Sequence, residues 1–244
     1  MKILVCISCV PDTTSRINFI DNNTKFDTNG VQFIIGPYDD YALARAVEIK
    51  EANAGTTLTV LNVGPAETEP IIRKALAIGA DDAIRVNAEP TDSFFVASQI
   101  AEHAKGFDLV LMGRESIDFN SGVVHAMVGE MLGVPSFSPI MKLDITGTTA
   151  KMAREIEGGK EMLEASLPLV LGCQEPIAEW KIPNMRGIMS ARTKPLKVVE
   201  PKAVSAEVKT KKFELPAPKG AVKMISADNV GELVKLLKNE AKVL

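Results

Sequence analysis

Short apolar runs alternate along the first half of the chain with longer segments whose apolar residues recur at helical spacing. Residues 3–7, 57–63, 83–86 and 109–113 read as strands. Between them, Gly36-Pro37-Tyr38-Asp39-Asp40 opens a helix over residues 41–52, because a proline and two acids suit a helix N-terminus. Gly64-Pro65-Ala66-Glu67 opens a second helix, with Ile71, Ile72, Ala75, Leu76 and Ile78 on one face and Gly79-Ala80-Asp81 closing it. Asp92 or Ser93 caps a third that runs to about residue 105. Residues 12–29 are polar, with turn signals at Asn22-Asn23 and Asn29-Gly30, and predict a hairpin-like excursion.

From residue 136 the pattern changes. Segments 140–145, 150–156 and 162–167 are short strands joined by Gly147 and Glu157-Gly158-Gly159, an antiparallel meander, and residues 167–172, apolar on both faces, return to the main sheet. Six prolines follow from Pro176 to Pro218 with few apolar clusters, too little to build a separate core. The chain ends in a capped helix, residues 226–244, whose stripe of Val230, Leu233, Val234 and Leu237 must dock on this chain or on a partner. The expected fold is α/β: an open, mostly parallel, Rossmann-like sheet with helices on both faces, a small antiparallel meander and an extended C-terminal arm. The expected division is 1–175 as a nucleotide-binding domain with an excursion at 136–167, then 176–225 as loop and linker, then 226–244.

The stretch from Asp108 to Val124 carries the functional signal. Four apolar residues end at Gly113; Arg114-Glu115-Ser116-Ile117-Asp118-Phe119-Asn120-Ser121-Gly122 follow; then Val123, Val124, Met127, Val128, Met131 and Leu132 repeat at helical spacing. Such a loop lies at the carboxyl end of a strand, the edge where open α/β sheets bind ligands, and the free N–H groups of the next helix attract phosphate. Small residues at Ser121 and Gly122 permit close approach; an ordinary strand-to-helix connection is the alternative. Gly64 ends a strand on the same edge, which favours a nucleotide cleft.

Composition narrows this picture. With 46% hydrophobic and 24% charged residues in 244, the chain has a globular composition and no apolar run that spans a bilayer. The start is strand-like and lacks a signal-peptide pattern, so a cytoplasmic location is expected. Three cysteines argue against a disulfide framework. Cys6 and Cys9 form a C-x-x-C, but inside a strand and before Pro11, which favours packing over redox chemistry. His103 and His125 have no ligand set near them in sequence. Residues 186–223 hold ten Lys/Arg against three Asp/Glu, a balance of +7 that leaves −10 elsewhere. This basic arm lacks interleaved aromatics, so a solvated or partner-binding role is expected rather than nucleic acid.

There is no G-x-G-x-x-G after the first strand, no Walker motif and no nucleophile elbow. A nucleotide-shaped cleft without a catalytic group favours a binding or carrier subunit.

With these residues assembled, the chain resembles the β subunit of electron-transfer flavoproteins over almost its whole length. The most specific match is Ala153-Arg154-Glu155-Ile156-Glu157-Gly158-Gly159-Lys160-Glu161 followed by Leu167-Pro168-Leu169-Val170. Gly64-Pro65-Ala66, residues 72–81, Gly113-Arg114-Glu115-Ser116-Ile117-Asp118 and Gly187-Ile188-Met189-Ser190-Ala191-Arg192 support it. The resemblance implies a heterodimer whose α subunit carries a redox-active FAD, while this subunit holds AMP. Electrons would pass from acyl-CoA-type dehydrogenases, as in fatty acid oxidation, to a quinone oxidoreductase. It implies nucleotide contacts, largely backbone, at Cys6, Val63, Gly64, Gly113, Asp118, Asn120, Ser121, Gly122, Val123 and Val124. It implies contacts to the α-subunit flavin domain at Tyr38 and Glu155 and a docking anchor at Met185 with Arg186 beside it; with such a partner, the stripe of Val230, Leu233, Val234 and Leu237 is expected to pack the terminal helix on the α subunit. Where relatives often carry Asn before the proline, this chain has Gly36, and Gly122-Val123-Val124 replaces a motif with polar side chains. Electron-bifurcating relatives hold a second FAD in the same cleft, so both nucleotides stay open; a lone ATP-hydrolysing domain is the remaining alternative.

Overall fold

A computed structural model describes residues 1–244. In chain order the strands and helices are β1 (Lys2–Cys6), β2 (Cys9–Pro11), β3 (Phe19–Ile20), β4 (Lys25–Phe26), β5 (Phe33–Ile35), α1 (Pro37–Ala52), β6 (Thr57–Val63), α2 (Glu69–Ile78), β7 (Asp82–Val86), α3 (Ser93–His103), β8 (Leu109–Gly113), α4 (Val124–Leu132), β9 (Ser136–Thr146), β10 (Thr149–Ile156), β11 (Gly159–Ser166), β12 (Leu169–Cys173), α5 (Met185–Ala191), β13 (Leu196–Val199) and α6 (Val230–Leu236).

The central strands read as unbroken apolar runs because both of their faces are covered. Ile3, Val5, Leu58, Val60, Leu109 and Leu111 pack with residues of α1 and α2 in one core. Leu4, Leu61, Val63, Val110, Met112 and Val170 pack with residues of α3 and α4 in the other. The sheet has nine strands in the order β11-β10-β9-β12-β8-β1-β6-β7-β13. Six of its eight pairings are parallel. The chain builds outward from β1 through β6 to β7, then crosses back through α3 to place β8 on the other side of β1. Strand order therefore reverses between β1 and β8, and in open α/β sheets the crevice that takes a ligand lies at the carboxyl ends of the two strands flanking such a point.

Two elements go further than the pattern reading. The expected antiparallel meander is continuous with the main sheet: β9 begins at Ser136, its first half pairs in parallel with β12, and its second half pairs with β10. Ile140, Leu143, Ala150 and Met152 are buried in the main core, so burial continues across the junction. The segment expected to be a linker also contributes structure. Residues 185–191 form a helix against α2, and Leu196–Val199 adds a ninth strand parallel to β7. Four residues carry too little periodicity to register as a strand; the exposed ladder of β7 supplies the bonding partners.

Past β13 the arm is tied to the body at separate points. The Lys202 backbone exchanges two hydrogen bonds with the Gln99 amide. Glu207 and Val208 donate their N–H groups to the Asp92 carboxylate that caps α3. Phe213 stacks on Phe19 of the β3–β4 hairpin at 4.8 Å, and its N–H donates to the Asn23 carbonyl. No residue of α6 is buried, and Val230, Leu233 and Val234 are exposed. No helix is long and apolar enough to cross a membrane.

The arm thus has its own, weaker stability. Phe213→Ala is expected to speed amide exchange of residues 207–213 about tenfold, from loss of an aromatic pair worth roughly 0.5–1.5 kcal/mol, with the urea midpoint of the body unchanged. Hydrogen exchange read by mass spectrometry checks this; a matching shift of the body's midpoint would make the arm part of the core.

Candidate functional site

The crevice at β1 and β8 is shaped by one carboxylate. Asp39, in the first turn of α1, is buried. Its Oδ2 accepts from the Ser8 N–H at 2.8 Å and the Ser8 hydroxyl at 2.5 Å, and its Oδ1 accepts from the Gly113 N–H at 2.7 Å. The loop after β1 and the end of β8 are thereby held by the same side chain. The approach is possible because position 113 lacks a side chain: a Cβ there would lie 2.7 Å from both Asp39 Oδ1 and Tyr38 Cβ. Burial pushes the Asp39 carboxyl up to about 6, against the pull of the three hydrogen bonds.

The β6 side of the crevice is set by a second buried group. Asn62 donates to the Ile7 carbonyl at 2.9 Å and accepts from the Thr68 hydroxyl at 2.8 Å. Arg85 donates to the Gly64 carbonyl at 3.0 Å, and the Gly64 N–H donates to the Val86 carbonyl. Two expected nucleotide donors, the N–H groups of Gly64 and Gly113, are therefore engaged inside the chain. Cys6 is buried among the residues under α3 and α4, so only its backbone faces the edge. Val63 ends β6 on the same edge.

The loop from Ser116 to Val123 presents the open donors. Asp118 accepts from the Ser116 hydroxyl and, at 3.0 Å, from the Phe119 N–H, which shapes the loop. Asn120 and Gly122 take positive φ, 50° and 61°. The N–H groups of Ser121, Gly122 and Val123 donate to nothing within the chain, and Val124 begins α4 with the unpaired N–H of any first helical residue. Four successive N–H groups at a helix start form an anion cradle, the chemistry a nucleotide phosphate needs. The Ser121 hydroxyl lies 2.9 Å from that of Ser93 at the start of α3. Across the crevice, burial and then the Asp118 charge push the Cys9 thiol up to about 11, while burial raises Cys6 further; both are free thiols held in the protonated form.

Tyr38 and Glu155, distant in sequence, belong to one string of contacts on this edge. The Arg114 guanidinium lies 5.0 Å from the Tyr38 ring centroid and donates to Gln174 Oε1 at 3.0 Å. Gln174 Nε2 in turn donates to the exposed Glu155 at 2.9 Å. The register between β9 and β10 shifts where Ala153 faces Lys142 and Arg154 faces Ile140, so the extra residue, Met141, is in β9, while β10 stays in unbroken register with β11 through Glu155. Met185 and Arg186 lie elsewhere, at the start of α5, which Asn184 caps through the Gly187 N–H; Met185 is 73% exposed. The pattern reading took Asp39 for an ordinary helix-start acid and did not single out Asn62, Arg85 or Gln174. The one available signal was the pairing of two acids beside Tyr38 with a glycine, Gly113, at a strand end.

The electron transfer flavoprotein domain model matches residues 23–204. The chain is 36% identical to the electron transfer flavoprotein subunit beta of Bacillus subtilis, with both chains covered in full. It is 34% identical to the subunit of that name from Syntrophomonas wolfei, covering 98% of it, and 30% identical over full length to the mitochondrial one of Arabidopsis thaliana.

The Asp39 carboxyl ionises near 3.8 in the unfolded chain and at about 6 when folded, so the folded state holds the proton more tightly between these values. The stability this confers is full below pH 4 and is lost as pH rises to 6. The unfolding free energy of wild type minus that of Asp39→Asn is expected to fall by about 2 kcal/mol between pH 4 and 7. Urea titrations of both proteins test it; a constant difference refutes the assignment.

Proposed function

The chain belongs to the electron transfer flavoprotein family, as a β subunit, and from that premise we propose that its crevice holds AMP as a structural ligand. The observation that carries this reading is the row of unengaged N–H groups from Ser121 to Val124 at the point where strand order reverses. The N–H groups of that row would hold the phosphate, with Asp118 and Asn120 shaping the loop, and the backbone of Cys6, Val63 and Gly64 would line the place of the adenosine. Gly113 contributes by its lack of a side chain, which admits Asp39, rather than as a donor. No polar side chain at residues 122–124 assists, so the backbone N–H groups carry the contact, with the Ser121 hydroxyl the one side-chain donor in the row.

In the complex the α subunit carries the FAD, which supplies the one- and two-electron chemistry when bound. This chain orients and excludes. Glu155, kept at the edge by Gln174, and Tyr38, under Arg114, face the α-subunit flavin domain. The exposed stripe of α6 packs on the α subunit. Met185, whose flexible thioether adapts to varied pockets, anchors acyl-CoA-type dehydrogenases, with Arg186 beside it tuning partner choice. Electrons then leave for a quinone oxidoreductase. The setting is fatty acid oxidation in the cytoplasm, with the chain acting as a carrier subunit rather than an enzyme.

Release of nucleotides from the denatured α/β complex, quantified by chromatography, is expected to yield one FAD and one AMP per heterodimer. Two FAD and no AMP would replace this reading with a bifurcating one. Met185→Ala is expected to raise KM for a reduced acyl-CoA dehydrogenase about tenfold with kcat nearly unchanged, as for loss of an interface anchor. An unaltered KM would remove Met185 from the docking surface.

A further inference from the structure

Asp40 follows Asp39 in α1 but reaches a different partner. Its Oδ2 accepts from the Trp180 indole N–H at 3.1 Å, and Lys74 Nζ lies 3.8 Å from the same oxygen and 5.9 Å from the Trp180 ring centroid. Oδ1 is buried and bonds nothing in the chain. A carboxylate so desolvated is costly to keep, and it tolerates burial only while its remaining donors stay in place. The buried member of the trio is the carboxylate: Trp180 is itself 54% exposed, and it is the hydrogen bond to Asp40, with the Lys74 charge beside it, that fixes the indole against α1. Trp180 stands in the segment that leads from β12 to α5. Within that segment Ile177 is buried in the main core and the Tyr41 hydroxyl donates to Glu175 at 3.1 Å. Lys181 and Glu51 form only an exposed pair.

The far end of α5 is fixed separately. Arg73 of α2 donates to the carbonyls of Ala191 and Lys194 at 2.9 and 2.8 Å, engaging the helix C-terminus. Gly187 meets the Ala77 carbonyl so closely that a Cβ would overlap it. Between the Asp40 contact and the Arg73 contact, Ile182, Met185 and Met189 stand exposed at 73%, 73% and 58%. A flexible approach to α5 would let these side chains sample many orientations.

We propose that Asp40 is a positioning residue for this apolar face: with Lys74 it clamps Trp180 and so sets where the chain leaves the body and how Met185 and Met189 are presented to a protein partner. The proposal rests on the docking role of Met185, and its test separates the two.

Asp40→Leu removes acceptor and charge, Asp40→Asn keeps an acceptor for the indole, and Trp180→Phe keeps the ring without the N–H. Amide exchange of residues 178–192, followed by mass spectrometry in the α/β complex, is expected to quicken about tenfold in Asp40→Leu and Trp180→Phe, the loss of a hydrogen bond to a charged group, and less in Asp40→Asn. In the isolated full chain Trp180 is the sole tryptophan and is 54% exposed, so freeing its ring is read as a lower emission anisotropy in Asp40→Leu. KM for a reduced acyl-CoA dehydrogenase should rise in Asp40→Leu and recover in Asp40→Asn. Unchanged exchange in folded Asp40→Leu and Trp180→Phe, with unchanged emission anisotropy in Asp40→Leu, would overturn the clamp, whatever Met185→Ala does. Faster exchange with no change of KM in Asp40→Leu, where Met185→Ala does raise KM, would overturn the positioning role. If Met185→Ala leaves KM unaltered while exchange quickens, the docking reading fails and the mechanical clamp stands.

Discussion

The Asp39 carboxylate is the constraint on which the crevice depends. A buried carboxylate in the first turn of a helix has to find donors, because burial removes the water that would otherwise solvate it. It finds them on two segments far apart in sequence, the Ser8 turn after β1 and the Gly113 N–H at the end of β8. Those are the two strand ends between which strand order reverses. The fold alone would bring them near each other; the shared acceptor makes their separation a fixed distance. Its consequence is chemical as well as mechanical, since the Gly113 N–H is withdrawn from any ligand and the open donors are left to the start of α4.

The sheet extends this edge rather than ending beside it. Because β9 pairs with β12 on one half and β10 on the other, the antiparallel strands carry Glu155 to the same carboxyl-end surface as Tyr38 and Arg114. Gln174 then joins Glu155 to Arg114 with one amide that accepts from a cation and donates to an anion. Such an arrangement costs little to maintain, as both ends of the amide are satisfied by charged groups. One continuous surface thus holds the crevice and the residues assigned to the flavin domain of the α subunit. The apolar face of α5 is held apart from it, by contacts to α1 and α2. The first turn of α1 serves both regions through adjacent acids, Asp39 toward the crevice and Asp40 toward the segment before α5.

Much of the framework was legible in the chain because its signals are local. The run 57–63 matches β6, and the apolar repeat from Val124 matches α4, since burial on both faces or on one face imposes distinct spacings. The cap of α3 was narrowed to Asp92 or Ser93, because capping needs only a side-chain oxygen near a helix start, and the bond from the Phe95 N–H decides for Asp92. The loop from Ser116 to Val123 could be placed at a strand end by the same means, and its open N–H groups follow from the start of a helix.

What only the tertiary structure decided concerns pairs distant in sequence. Leu196–Val199 is a strand because β7 offers an unpaired edge, and four residues alone do not encode that. The meander belongs to the main sheet because β9 is long enough to serve two neighbours. Asp39 and Asp40 look alike in sequence, two acids at a helix start, yet one binds Ser8 and Gly113 and the other Trp180 and Lys74. Apolar periodicity reports which face of an element is buried, whereas the partner of a buried polar group is set by which donors the fold delivers within hydrogen-bond reach. The sequence by itself therefore determined the layers and the edge that carries the crevice, and the packed chain determined which of its polar groups remain open to a ligand.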